Sequence, residues 1–183
     1  MALAQNLPRY HGCGVGPMLT HAQSRAVLLV RANSLAAGYS GVRPLLIERL
    51  LELLALDIVP LIPSRGSVGA SGDLTPLSYV AALLCGERQA HVGATDQVLD
   101  ARQALTEAGL TPLSLMPKES LAIMNGTSVM AALACIACER AARLAESACA
   151  LTALVVDALA GQRAHYDPRL FAAKAHVGQA ECA

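Results

Sequence analysis

Tryptophan is absent and phenylalanine occurs once, so aromatic residues make up only 3% of the 183. Charge is equally scarce: 14 basic residues face 14 acidic ones, the formal net charge is zero, and no basic run occurs. With so few stacking side chains and no basic run, nucleic acid is not an expected partner. No uninterrupted apolar run reaches the ~18 residues that a membrane-spanning helix needs, so a membrane is not expected either. The most apolar region, 129–160, is broken by Glu139, Arg140, Arg143, Glu146 and Asp157. No basic segment followed by an apolar core opens the chain, which makes the cytoplasm the expected compartment. His21, His91, His165 and His176 show no ligand spacing and are expected to be surface or structural, with no metal. The six cysteines are expected as free thiols. Cys135-x-x-Cys138 has the spacing of a redox or metal pair. It lies in an Ala-rich run without a second pair or a nearby His, so both are expected to be buried small residues.

What the chain has in plenty is apolar side chains, 54% of the total, with a mean hydropathy of +0.44. That is enough for a sizeable core in a single domain spanning 1–183. It is also more than one such unit can hide, so an extensive partner interface is expected.

Periodicity and caps predict a mostly helical chain. Residues 6–16 read as a Gly-rich loop. Thr20-x-x-Gln23 reads as a capping box, opening a helix to about 37 with Leu28, Leu29, Ala32, Leu35 and Ala36 on one face. Gly38 is its expected C-terminal stop. Pro44 starts another helix carrying Leu46, Ile47, Leu50, Leu53 and Leu54. Residues 58–65 read as extended, and 89–98 as a small hairpin turning at Gly93. Short helices are expected at 100–108 and 117–124, a long Ala-rich one at 127–160, and a last one after the Asp167-Pro168 turn.

The least typical stretch is Arg65-Gly66-Ser67-Val68-Gly69-Ala70-Ser71-Gly72-Asp73-Leu74-Thr75-Pro76-Leu77. Thr75 as N-cap and Pro76 as first helical residue predict a helix over 77–85. Unpaired N–H groups and the helix dipole there favour negative charge. Such a loop has three uses. It cradles a phosphate, but the Lys-Ser/Thr of a phosphate loop is missing. It presents Ser71 as a nucleophile, but no G-x-S-x-G surrounds it. Or its backbone reacts, since a glycine amide approaches an upstream carbonyl unhindered and a serine can lose water.

Gly66-Ser67-Val68-Gly69-Ala70-Ser71-Gly72-Asp73-Leu74-x-Pro76-Leu77 resembles the signature of the aromatic amino-acid and histidine ammonia-lyases and their aminomutase relatives. Leu121-Ala122-Ile123-Met124-Asn125-Gly126-Thr127 is similar to that family's second motif; Gly38-x-Ser40-Gly41 and Gly14-Val15-Gly16 add upstream support. The resemblance implies an all-α fold, a long-helix bundle core with a short hairpin or extended segment. It implies that Ala70, Ser71 and Gly72 cyclise into a methylidene-imidazolone, so no external cofactor is needed. Asn125 would contact that group and the amino-acid end of the substrate, and Leu74 the substrate ring. Tyr10-His11 falls where the family reads the substrate side chain; the pair matches none of the phenylalanine, tyrosine or histidine types fully and favours a polar ring.

The implied reaction is non-oxidative loss of ammonia from histidine or an aromatic amino acid. The alternatives are a 2,3-aminomutase and an inactive oligomerising fragment. The implied assembly is a homotetramer packed through long central helices, with Val129, Leu133, Ile136, Leu144, Leu151 and Leu154 covered. The family's catalytic Tyr, in a Thr-Gly-Phe-Gly-type loop, finds no counterpart here, nor does its carboxylate-binding Arg. The chain is therefore expected to be the central core of such an enzyme.

Overall fold

The computed structural model describes residues 2–68, 72–93, 97–174 and 176–182, with side chains from residue 6 onward. The chain divides into two compact units, Met1–Cys135 and Ile136–Ala183. The first is built on helices with two small antiparallel sheets; the fold is helical, as the residue pattern predicts.

At the centre of the first unit lies α4 (Leu74–Leu84), in which every residue from Pro76 to Leu84 is buried. A helix apolar on all faces has to be covered on all faces. Against it pack α1 (Ala2–His11), α6 (Glu119–Met124) and β2 (Ile58–Pro60). A helical pair, α2 (His21–Ala36) and α3 (Pro44–Ala55), closes the core with Leu28, Leu46, Leu50 and Leu53 fully buried. Each such leucine contributes about 2 kcal/mol of burial. Strand β2 pairs with β4 (Gln89–Val92), and β4 with β5 (Gln97–Asp100), which leads into α5 (Ala101–Glu107). The second sheet joins β1 (Val15–Met18) to β3 (Pro63–Arg65) and delivers the chain to Gly66.

Local signals are realised where the cap is contained in the segment. Thr20 and Gln23 form the complete capping box. Pro44 occupies the first turn of α3, Gly93 turns the hairpin with φ +67°, and Asp100 accepts from the Arg102 N–H at 3.0 Å to start α5.

Four expectations about helix bounds and faces are corrected. Residues 6–11 are not loop but the end of α1. Pro8 removes a backbone donor there, yet it is itself buried and Leu7 packs on the core, so tertiary contact overrides the local penalty. On α2, Leu29 and Ala36 face outward while Val27 and Arg31 are buried, a stripe rotated from the apolar one. Helix α4 starts earlier than Thr75-Pro76 suggests, with Asp73 at the N-cap; Pro76 is tolerated because the first four N–H groups of a helix have no intrahelical acceptor. Helix α6 starts at Glu119 rather than Pro117, after Lys118 at φ +72°. Its start is fixed by the Glu119 carboxylate, which accepts from the Met116 N–H at 2.8 Å and from Arg43 Nη2 at 2.7 Å.

The long helix α7 (Ser128–Ala158) begins in the first unit and continues in the second. The second unit adds a 3₁₀ turn (Arg163–Tyr166), α8 (Pro168–Ala172), opened by Asp167 and Pro168, and α9 (Val177–Cys182). Within it Leu144, Leu151 and Leu154 are 72%, 62% and 65% exposed. Cys135 and Cys138, expected buried, are exposed, because among the described residues no other element covers those positions of α7. No described helix is long and apolar enough to cross a membrane.

Candidate active site

Two motifs far apart in sequence meet at one point. Gly72 and Gly126 form a parallel β-bridge, which sets the end of the Ala70-Ser71-Gly72 stretch beside Asn125-Gly126. Gly69, Ala70 and Ser71 lie outside the described residues. Their flanks are tightly held. The Val68 N–H donates to the Gly72 carbonyl at 3.1 Å, tying the loop ends together. Upstream, Gly66 lies so close to α4 that a Cβ there would sit 2.6 Å from Thr75 Cγ2 and would force Thr75 to shift.

Asp73, next to Gly72, is 1% exposed. Its carboxylate does not cap its own helix. Oδ2 accepts from the N–H groups of Val129 at 2.9 Å and Met130 at 3.0 Å, in the first turn of α7. That placement suits a negative charge, because unpaired N–H groups and the positive end of the dipole converge there.

Asn125 ends α6, its own N–H donating to the Leu121 carbonyl at 2.8 Å, and its side chain lies in an exposed position. Its carbonyl accepts from Arg31 Nη2 at 3.1 Å. Arg31, on α2, is 3% exposed and also donates to the Ala122 carbonyl and to Ser128 Oγ, the latter at 3.3 Å. Burial pushes its pKa down, with the Asp73 charge opposing. Gly126 passes directly over the guanidinium, where a Cβ would collide with Nη1. Neither the cross-helix role of Asp73 nor Arg31 follows from the sequence pattern. The one available signal was an arginine at a core-facing position of α2, in register with Leu28 and Leu35.

The remaining predicted residues gather less closely. Leu74, the first residue of α4, is half-buried and packs against the core. Tyr10 is 79% exposed. His11 Nδ1 lies 3.0 Å from the Leu7 carbonyl of its own helix, and neither side chain hydrogen-bonds to Gly72, Asp73 or Asn125 among the described residues. The turn after them does approach the loop: Gly14 Cα would lie 3.4 Å from a Cβ on Gly66. Beside Asp73 is a cavity of about 200 Å³, with Ser64, Ser67, Met130 and Leu133 in its wall. That is smaller than the usual ligand pocket of about 300–1,000 Å³.

The whole chain, residues 1–183, matches a family model described as aromatic amino acid lyase. Among curated proteins, the histidine ammonia-lyase of Geobacillus thermodenitrificans is 46% identical over 178 residues, covering 97% of this chain and 35% of that protein. The histidine ammonia-lyase of Sorangium cellulosum is 45% identical, over 98% of this chain and 34% of its own length. The crystal structure of histidine ammonia-lyase from Trypanosoma cruzi superposes with a TM-score of 0.91 at 34% identity, covering 99% of this chain and 35% of that one. Tyrosine aminomutase from Streptomyces globisporus gives 0.90 at 38% identity, over 99% and 34%. The chain thus spans about a third of the length of the curated relatives it matches.

Proposed function

Because the chain belongs to the aromatic amino acid lyase family, we propose that it is the cofactor-bearing core of an ammonia-lyase, acting as one domain over 1–183. The electrophile is a methylidene-imidazolone made from Ala70, Ser71 and Gly72, and the substrate is histidine or an aromatic amino acid. The observation that carries this reading is the backbone pairing of Gly72 with Gly126. It sets Gly72, the last residue of the stretch proposed to cyclise, beside Asn125-Gly126.

The described flanks fit such a group. Gly72 has no side chain to obstruct its nitrogen, and the bond from Val68 to Gly72 holds the loop closed. In the proposed cyclisation the Gly72 nitrogen bonds to the Ala70 carbonyl carbon. That carbonyl oxygen leaves as water with the amide protons of Ser71 and Gly72. Ser71 then loses its hydroxyl and α-proton as a second water. Once formed, the group supplies an electrophilic methylidene that takes up the substrate amine and makes it a better leaving group. The N-terminus of α4, beginning two residues after Gly72, favours negative charge building beside it. Asn125 offers a neutral amide donor to the same region. Tyr10, His11 and Leu74 are proposed for the substrate side chain.

An aminomutase that returns ammonia to the β-carbon is the second reading, favoured by the likeness to tyrosine aminomutase at nearly the same TM-score. We place the protein in the cytoplasm as a homotetramer. Its exposed Leu144, Leu151 and Leu154 support a covering partner.

The test is intact mass. Cyclisation removes two waters, about 36 Da, and Ser71→Ala should not form the methylidene. An unshifted mass in the parent chain refutes the proposal for this protein. Incubation with histidine, tyrosine and phenylalanine then separates the three readings: loss of ammonia, seen by mass, marks a lyase, an isomeric β-amino acid resolved from its substrate by chromatography marks an aminomutase, and unchanged substrate marks an inactive core.

A further inference from the structure

The two motifs meet, but a β-bridge of one residue on each side is too small to fix them. A pair of buried opposite charges flanks Asn125-Gly126-Thr127. The segment joins the C-terminus of α6 to the N-terminus of α7. The negative end of α6 receives Arg31, whose guanidinium binds the carbonyls of Ala122 and Asn125. The positive end of α7 receives Asp73, whose carboxylate binds the N–H groups of Val129 and Met130. Each charge therefore sits at the helix end whose dipole it complements. Asp73 is covalently next to Gly72. Arg31 instead comes from α2, outside both motifs, and reaches across to Ser128 Oγ as well.

Arg31 is an unusual residue to bury for stability alone. It makes no ion pair with a carboxylate within 4.0 Å among the described residues, and its Nε is buried without a partner. A buried, incompletely paired cation is costly, and an apolar side chain would fill the space at less cost. Gly126 leaves room for the guanidinium, since any larger residue would strike Nη1.

We infer that Arg31 is a positioning residue for the reactive loop: by clamping the Asn125 carbonyl under Gly126 it holds Gly126 against Gly72, the residue whose nitrogen the proposed cyclisation uses. The inference rests on the proposed cyclisation only in its chemical consequence. Its mechanical part, that Arg31 transmits order from α6 to the 66–76 loop, stands apart from it.

The experiment compares the parent chain with Arg31→Met, Arg31→Lys and, as a control for general destabilisation, Leu53→Ala, which empties a fully buried position on α3. All are checked for helicity, then measured in two ways. Hydrogen exchange by mass spectrometry reads peptides covering 120–128 and 66–76. Arg31→Met should speed exchange in both peptides, about tenfold or more, relative to the rest of the first unit. Leu53→Ala should change both no more than their surroundings, and Arg31→Lys should restore part of the protection. Intact mass over time reads cyclisation: a misplacement near 1 Å costs reactions roughly a hundredfold, so Arg31→Met should lose water far more slowly than the parent while remaining folded. If 66–76 keeps parental protection in folded Arg31→Met, the inference fails. It fails equally if exchange rises no more than in Leu53→Ala. A parent chain that shows the exchange coupling but never loses water refutes the proposed function and leaves Arg31 as a purely mechanical tie.

Discussion

Removing the Asp73 carboxylate should loosen the start of α7. Asp73→Ala deletes the acceptor for two N–H groups, those of Val129 and Met130. A hydrogen bond to a charged group contributes about 1.5–3 kcal/mol net. Loss of an N-terminal cap costs about 1 kcal/mol, and these two descriptions overlap. The Val129 N–H belongs to a residue only 5% exposed and would be left unsatisfied, whereas Met130 is 61% exposed and its N–H can find water. The sum is about 3 kcal/mol for Asp73→Ala. Asp73→Asn keeps an acceptor oxygen and loses only the charge against the helix dipole, about 1 kcal/mol. For a chain of this size 1 kcal/mol moves Tm by roughly 2–4 °C. Far-UV melts at one fixed protein concentration should therefore place Asp73→Ala about 6–12 °C below the parent and Asp73→Asn between them. If Asp73→Ala melts within about 2 °C of the parent, the α7 N-terminus does not depend on this carboxylate and the reasoning is wrong.

Glu119 is held below the usual carboxylate range, chiefly by its hydrogen bond with Arg43 and against its own burial. A depressed folded-state pKa gives stability that is full above the unfolded value of about 4.3 and is lost as pH falls through the lower folded value. Glu119→Gln should destabilise by about 2 kcal/mol at pH 7, and urea titrations from pH 7 to 3 should show the gap closing below about pH 4. Burial pushes the Cys85 thiol up to about 11, so at pH 8 iodoacetamide should label exposed Cys135 and Cys138 well before Cys85, as read by peptide mapping. Leu144→Glu should turn the proposed tetramer into aggregated or unfolded material; light scattering at low micromolar concentration that shows a well-behaved monomer in the parent would end the assembly proposal.

What the sequence made legible were features whose physics is local. The Thr20–Gln23 box, the short helix near 100–108, the helix after the Asp167-Pro168 turn and the Gly93 hairpin each need only neighbours within a few residues, and each is found. Helix α1 was not legible because Pro8 argues against it locally and its support comes from α4 and α6. The same holds for the site. That Gly72 and Asn125 belong together was inferred from resemblance, and the bridge to Gly126 gives that pairing a physical form. Arg31 and the cross-helix reach of Asp73 span 94 and 56 positions. No periodicity or cap rule reports a contact of that separation.

The same distinction separates what this chain satisfies by itself from what it leaves open. In the first unit the apolar residues of α4 are covered, the buried Glu119 has Arg43, and the helix ends that face the loop carry complementary charges. On α7 the balance reverses. Leu144, Leu151 and Val155 recur at helical spacing and stand 72%, 62% and 54% exposed, with Leu159 at 76% extending the stripe. An apolar stripe of this kind is the mark of a surface that works covered. The site is open as well: the cavity beside Asp73, at about 200 Å³, lies below the usual ligand-pocket range, and Tyr10 stands in solvent. Under the proposed function the two observations have one account: the loop and its two charge clamps are built within this chain, and the proposed covering partner would supply the walls that enclose a substrate.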